Sequence, residues 1–150
     1  MTSQRKAGPG PTTHSVHVDA PPADVLAVIA DVTAYPAWAD GIKHAEVLEV
    51  DATGRPARAE FRLESGPFRD EYELAYTWSD AEVRWTLVRA SLLTAMDGAY
   101  IVRPDADGGS DVSYRLTVDL NVPLLGMIKR KAERTVIDTA LRDLKKRVEG

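Results

Sequence analysis

Apolar residues recur at every fourth position near the end of the chain: Leu124, Ile128, Ala132, Val136, Ala140, Leu144 and Val148, with Leu125, Ile137 and Leu141 widening the stripe. This spacing predicts an amphipathic helix. About 25 residues at 1.5 Å each make it roughly 37 Å long, enough to cross a whole sheet. Arg130, Glu133, Arg134, Arg142, Asp143 and Lys146 are expected on its wetter side. A helix of this length with one apolar stripe needs a broad apolar partner, and a sheet with one apolar face is such a partner.

The preceding segments supply that sheet. Residues 57–64 alternate, with Ala57, Ala59, Phe61 and Leu63 on one side and Arg58, Glu60, Arg62 and Glu64 on the other. Between Arg69 and Trp78, Tyr72, Leu74, Tyr76 and Trp78 share a face; Val83, Trp85 and Leu87 are in phase in the next strand. Further strands are predicted over 13–18, 43–51, 94–103 and 111–120, the last with Val112, Tyr114, Leu116, Val118 and Leu120 on one side. Short turns such as SGP and the glycine-rich RPDADGGSD make consecutive strands antiparallel neighbours, and the first strand adds an edge. After that strand, DAPPAD opens a short helix over 22–30, and the segment interrupted by Pro36 and closed by Gly41 predicts a second. The expected class is α+β, with a leader over 1–12 and one domain over 13–150.

Composition narrows the function. The chain has 150 residues, no cysteine and a formal charge of -4. That excludes a disulfide framework and a thiolate metal site, and offers no general attraction to nucleic acid. The start lacks the apolar run of a signal peptide, and no stretch reaches the length of a membrane span, so the expected location is cytoplasmic. From Leu124 onward there are eight basic and four acidic residues, against 11 and 19 in the rest. The basic helix is read as a solvated face suited to its dipole, with transient contact to acidic lipid or a partner as the alternative. The three histidines are dispersed and no HExxH or calcium-loop motif occurs, so neither a metal nor a cofactor is expected.

A strongly curved sheet around a bulky helix leaves a concavity lined by both. Phe61, Tyr72, Tyr76, Trp78, Trp85, Tyr114 and Leu116 are expected on its sheet side, and Ile128, Ala132 and Val136 on the long helix. Buried tyrosine hydroxyls and indole N–H groups need partners and so offer directional contacts to a ligand. Asp97, beside Gly98, and Arg103 are candidate polar cavity residues, whereas His17 and His44 are read as strand-end or surface groups.

The segment VHVDAPPADVLAVIADVTAYPAWADGIKHAEVLE, Val16 to Glu49, resembles the beginning of the actinobacterial polyketide cyclase/dehydrase and lipid-transport group of the START-like helix-grip superfamily. DGAYIVRPDADGGSDVSYRLTVDLNVPLLG and the terminal helix continue the resemblance. It implies a curved antiparallel sheet gripping the C-terminal helix, with two short helices after the first strand. It also implies a cavity for lipids, quinone-like compounds or aromatic polyketides, with Trp38 at the aromatic position following the short-helix motif. The group has no single catalytic set to carry over. Three functions therefore stand: binding, transport or sensing of a hydrophobic small molecule; a polyketide cyclase, aromatase or dehydratase; and a noncatalytic interaction module.

Overall fold

The computed structural model describes residues 11–121 and 126–150. Strand β1 (Thr12–Val18) leads into helix α1 (Pro22–Ala30), a 3-10 turn (Val32–Ala34) and the single-turn helix α2 (Tyr35–Trp38). Six strands follow: β2 (Ile42–Val50), β3 (Pro56–Ser65), β4 (Phe68–Trp78), β5 (Glu82–Ala90), β6 (Leu93–Pro104) and β7 (Ser110–Leu120). Helix α3 (Gly126–Glu149) ends the chain. The strands form one antiparallel sheet in the order β1-β7-β6-β5-β4-β3-β2. Because β1 and β2 are opposite edges, α1 and α2 carry the chain between them. The strands and short helices match the periodicities and turns of the sequence to within about two residues at each end.

The sheet is curved, and irregular registers show where the ladder bends. In β2 a shift between Ile42 and His44 inserts a residue, so Ile42, Ala45 and Val47 all pack on the core despite unequal spacing. Another shift, between Glu73 and Leu74, leaves Val88 as an extra residue in β5 and bends that strand against β4. Gly98 of β6 lies opposite Trp85 of β5. A Cβ there would lie 2.3 Å from the indole, so the large ring is accommodated only because this backbone carries no side chain.

Helix α3 corrects the expected phase. Its packed face comprises Glu133, Ile137, Leu141 and Leu144, with Ala140 and Val148 partly covered. Ile128, Ala132 and Val136 are exposed, at 54% and 47% for the first and last. At 100° per residue, a strict four-residue spacing turns by 40° at each step, so the series spirals from solvent into the core. Leu124 and Leu125 lie outside the described residues.

Glu133, expected in water, is only 3% exposed. Its carboxylate accepts the Thr12 hydroxyl at 2.7 Å and the Val118 N–H at 2.9 Å. Leu116 is the partner of Thr12 at the start of β1, so Val118 lies beyond the paired stretch and the glutamate takes the place of a strand. Further along, His14 Nδ1 and Asp138 share a 2.6 Å hydrogen bond, Asp143 accepts the Asp40 N–H and Glu149 accepts the Asp19 N–H. These bonds tie α3 to β1 and the loops flanking the short helices.

Candidate functional site: the aromatic interior

Cross-strand register brings aromatic side chains together on the inner sheet face. Phe61 faces Tyr72 with ring centroids 5.4 Å apart, Tyr76 faces Trp85 at 6.1 Å, and Tyr100 faces Tyr114 at 4.6 Å. Trp85 also contacts Tyr100 and Tyr114 at 5.5 Å each. From the short helices, Tyr35 stacks on Phe61 at 6.0 Å and meets Trp38 edge-on at 5.2 Å. These offset and edge-to-face contacts are the arrangements aromatic rings prefer.

The polar atoms on this wall are unevenly satisfied. The Tyr35 hydroxyl donates to the Ile29 carbonyl at 2.5 Å, and the Trp78 indole donates to the Pro56 carbonyl at 2.7 Å while Arg55 lies over its ring. Among the described residues the hydroxyls of Tyr72, Tyr76, Tyr100 and Tyr114 have no hydrogen-bond partner. The buried Trp38 Nε1 has none either. Burial raises the pKa of all five tyrosines, reinforced by neighbouring phenols for Tyr35, Tyr76, Tyr100 and Tyr114 and by nearby aspartates for Tyr35, Tyr72 and Tyr100. They therefore remain neutral near pH 7 and are available to donate or accept a hydrogen bond, not to serve as phenolate bases.

Most sheet residues expected at the cavity meet here. Phe61, Tyr72, Trp85, Tyr114 and Leu116 are buried; Trp38, Tyr76 and Trp78 are partly buried against the same cluster. The helix residues do not join this buried wall: Ile128, Ala132 and Val136 face solvent. Asp97 and Arg103 are also exposed, on the opposite face from Gly98, Tyr100 and Val102. The close approach of Gly98 to Trp85 sets that phase and turns both charged neighbours outward.

Sequence reasoning omitted Tyr35 and Tyr100 from the site. Tyr100 was legible in retrospect, because it shares the parity of Gly98 and Val102; Tyr35 required the turn that lays α2 over Phe61. The buried carboxylates serve the framework. Asp70 accepts the Ser91, Leu92 and Leu93 N–H groups at 2.9, 3.1 and 3.0 Å, holding the β5–β6 turn. Glu73 lies between Arg58 and Arg89 on the outer face. The fold also gathers dispersed metal-ligating groups into two triads, His17 with Asp105 and Asp111, and His44 with Glu46 and Glu60. In each triad one member arrives by strand pairing from a distant segment, His17 opposite Asp111 and Glu60 opposite Glu46.

The curved antiparallel sheet, the long C-terminal helix and the intervening short helices define an α+β helix-grip protein. The chain belongs to the polyketide cyclase / dehydrase and lipid transport family, whose model matches residues 11–149. A START superfamily protein from Mycobacterium smegmatis is similar at 20% identity over 94% of this chain and 98% of that chain, with a TM-score of 0.87. The Zhui aromatase/cyclase from Streptomyces sp. R1128 has 15% identity over 93% of each chain and a TM-score of 0.70. A STAR-related lipid transfer protein fragment from Xanthomonas axonopodis has 19% identity over 92% of this chain and 85% of that chain, at 0.68. At these identities the structural likeness establishes the fold. No protein of curated function matches the sequence. Among the described residues, no helix is long and apolar enough to cross a membrane.

Proposed function

We propose that this chain is a cytoplasmic binding protein that holds a hydrophobic small molecule against the aromatic inner wall, for transport or sensing. The observation that carries this reading is the combination of cross-strand aromatic pairs with the buried, unpartnered Trp38 Nε1 and the Tyr72, Tyr76, Tyr100 and Tyr114 hydroxyls, which have no hydrogen-bond partner among the described residues. A lipid, quinone-like compound or polyketide offers apolar surface to the rings and an oxygen atom to the donors. Carriage is favoured over a cyclase, aromatase or dehydratase because Asp97, Arg103, His17 and His44, the charged or titratable candidates for moving a proton, lie at the surface. Asp70, on the Tyr72 side of β4, is already engaged by three backbone donors.

The test is native mass spectrometry of freshly purified protein, followed by titration with a fatty acid and an aromatic ketone if the protein emerges bare. A stoichiometric adduct released chemically unchanged is expected. Turnover of the bound molecule supports the enzyme reading instead, and absence of saturable binding for both probe classes overturns the cavity reading. Tyr76→Phe, which removes a hydroxyl and little volume, is expected to weaken an oxygen-bearing ligand about five- to tenfold and leave a pure hydrocarbon unaffected.

A transient membrane contact is carried by the start of α3. Met127 and Ile128 are 84% and 54% exposed. Arg130, Lys131 and Arg134 border an adjacent groove of about 410 Å³ and have no carboxylate partner among the described residues. This pairing of cations with apolar side chains suits an acidic bilayer surface. Cosedimentation with phosphatidylglycerol vesicles is expected to fall at high salt and to be lost in R130E/K131E/R134E; equal binding by that variant refutes the contact.

A further inference from the structure

We infer that the hairpin end beside β1 carries a site for a divalent transition-metal ion, with His17, Asp105 and Asp111 as protein ligands. Strand pairing places His17 directly opposite Asp111, and the turn after β6 brings Asp105 to both. One ligand atom from each residue lies within 4.8 Å of the other two. His17 Nδ1 is 2.7 Å from Asp105 Oδ2. The other Asp105 oxygen accepts the Asp107 and Gly109 N–H groups, each at 2.9 Å, which fixes the carboxylate with Oδ2 toward the imidazole.

Gly109 completes this cradle. A Cβ there would sit 2.8 Å from His17 Cε1 and 2.8 Å from the Val18 carbonyl, so a larger residue displaces the ring from the carboxylates. The donor set is one imidazole nitrogen and two carboxylate oxygens. Zinc and its first-row neighbours accept such mixed ligands, whereas calcium and magnesium favour all-oxygen sites. His17 and Asp111 are exposed and Asp105 partly so, leaving access for water ligands. Arg103 neighbours Asp111 on β6, and Lys145 donates to the His17 carbonyl while pairing with Glu149. These cations oppose part of the carboxylate attraction, so a micromolar site is expected in place of a very tight one.

Titration calorimetry of tag-free, chelator-treated protein with Zn²⁺ tests the site, with Co²⁺ absorption reporting ligand identity and thermal melting reporting folding. One equivalent of Zn²⁺ is expected to bind, at least tenfold more weakly in folded His17→Ala and Asp111→Asn, and unchanged in His44→Ala. The visible Co²⁺ bands should disappear with His17→Ala, while Ca²⁺ should not compete. Absence of saturable Zn²⁺ binding, retention of affinity in His17→Ala, or loss in His44→Ala and not in His17→Ala overturns the assignment.

Discussion

At the residue scale, two small features decide how larger groups pack. Gly98→Ala places a methyl group inside the Trp85 ring envelope. It is expected to cost about 3 kcal/mol in urea denaturation, the upper range for overpacking. Trp85→Phe should relieve much of that penalty, and additive effects in the double variant would refute the clash. Asp70 is expected to contribute about 3 kcal/mol through three charge-assisted backbone bonds. Asp70→Ala should therefore lower stability by that order, with hydrogen exchange rising first at Ser91, Leu92 and Leu93; unaltered exchange there would contradict the anchoring role.

At the element scale, α3 shows how an apolar pattern can reveal a helix without fixing its packed face. Ile137 and Leu144 are fully buried, whereas Val136 is 47% exposed and Lys146 is in solvent. Ile137→Ala is expected to cost about 3 kcal/mol and Val136→Ala less than about 0.5 kcal/mol, beyond a small difference in helix propensity. Leu144→Asp buries an uncompensated charge and should prevent stable folding, while Lys146→Asp should melt near the wild type. Equal losses within either pair would show that the helix is rotated from this phase. Strands were easier to read because their two-residue alternation does not drift, and turns such as SGP and DGG break it clearly. The bulges in β2 were not legible, since one inserted residue is set by the neighbouring strand.

Across the whole molecule, the outer sheet face is joined by an ionic ladder that has no part in the interior site. Glu49 pairs with Arg58 at 2.9 Å; Arg58 and Arg89 meet Glu73 at 2.5 and 3.0 Å; Arg89 reaches Glu60 at 3.4 Å. The ladder spans β2 to β5. Hydrogen bonds from Arg58 and then Arg89 lower the Glu73 pKa. Its folded value lies below its unfolded value, so its stabilisation is present above the ordinary glutamate range and is lost as pH falls through the depressed folded value. Asp51, held by the Thr53 hydroxyl, and Glu149, held by Lys145, act in the same direction. Stability should therefore decline below about pH 4.5, with a shallower decline in Glu73→Gln, measured by denaturant midpoints across the acid range. Identical slopes would remove Glu73 from the acid response.

By itself the sequence determined the elements, their antiparallel succession and most of the aromatic sheet face, because periodicity and turn chemistry act over a few neighbouring residues. Tertiary structure decided which side of a strand or helix met the core. Gly98 against Trp85 turned Asp97 and Arg103 outward, and Val118 beyond the end of β1 drew Glu133 inward. Tyr35 reached Phe61 through the fold of the short helices, while His17 met Asp105 and Asp111 through pairing of distant strands. These contacts depend on three-dimensional register, for which spacing along one segment contains no coordinate.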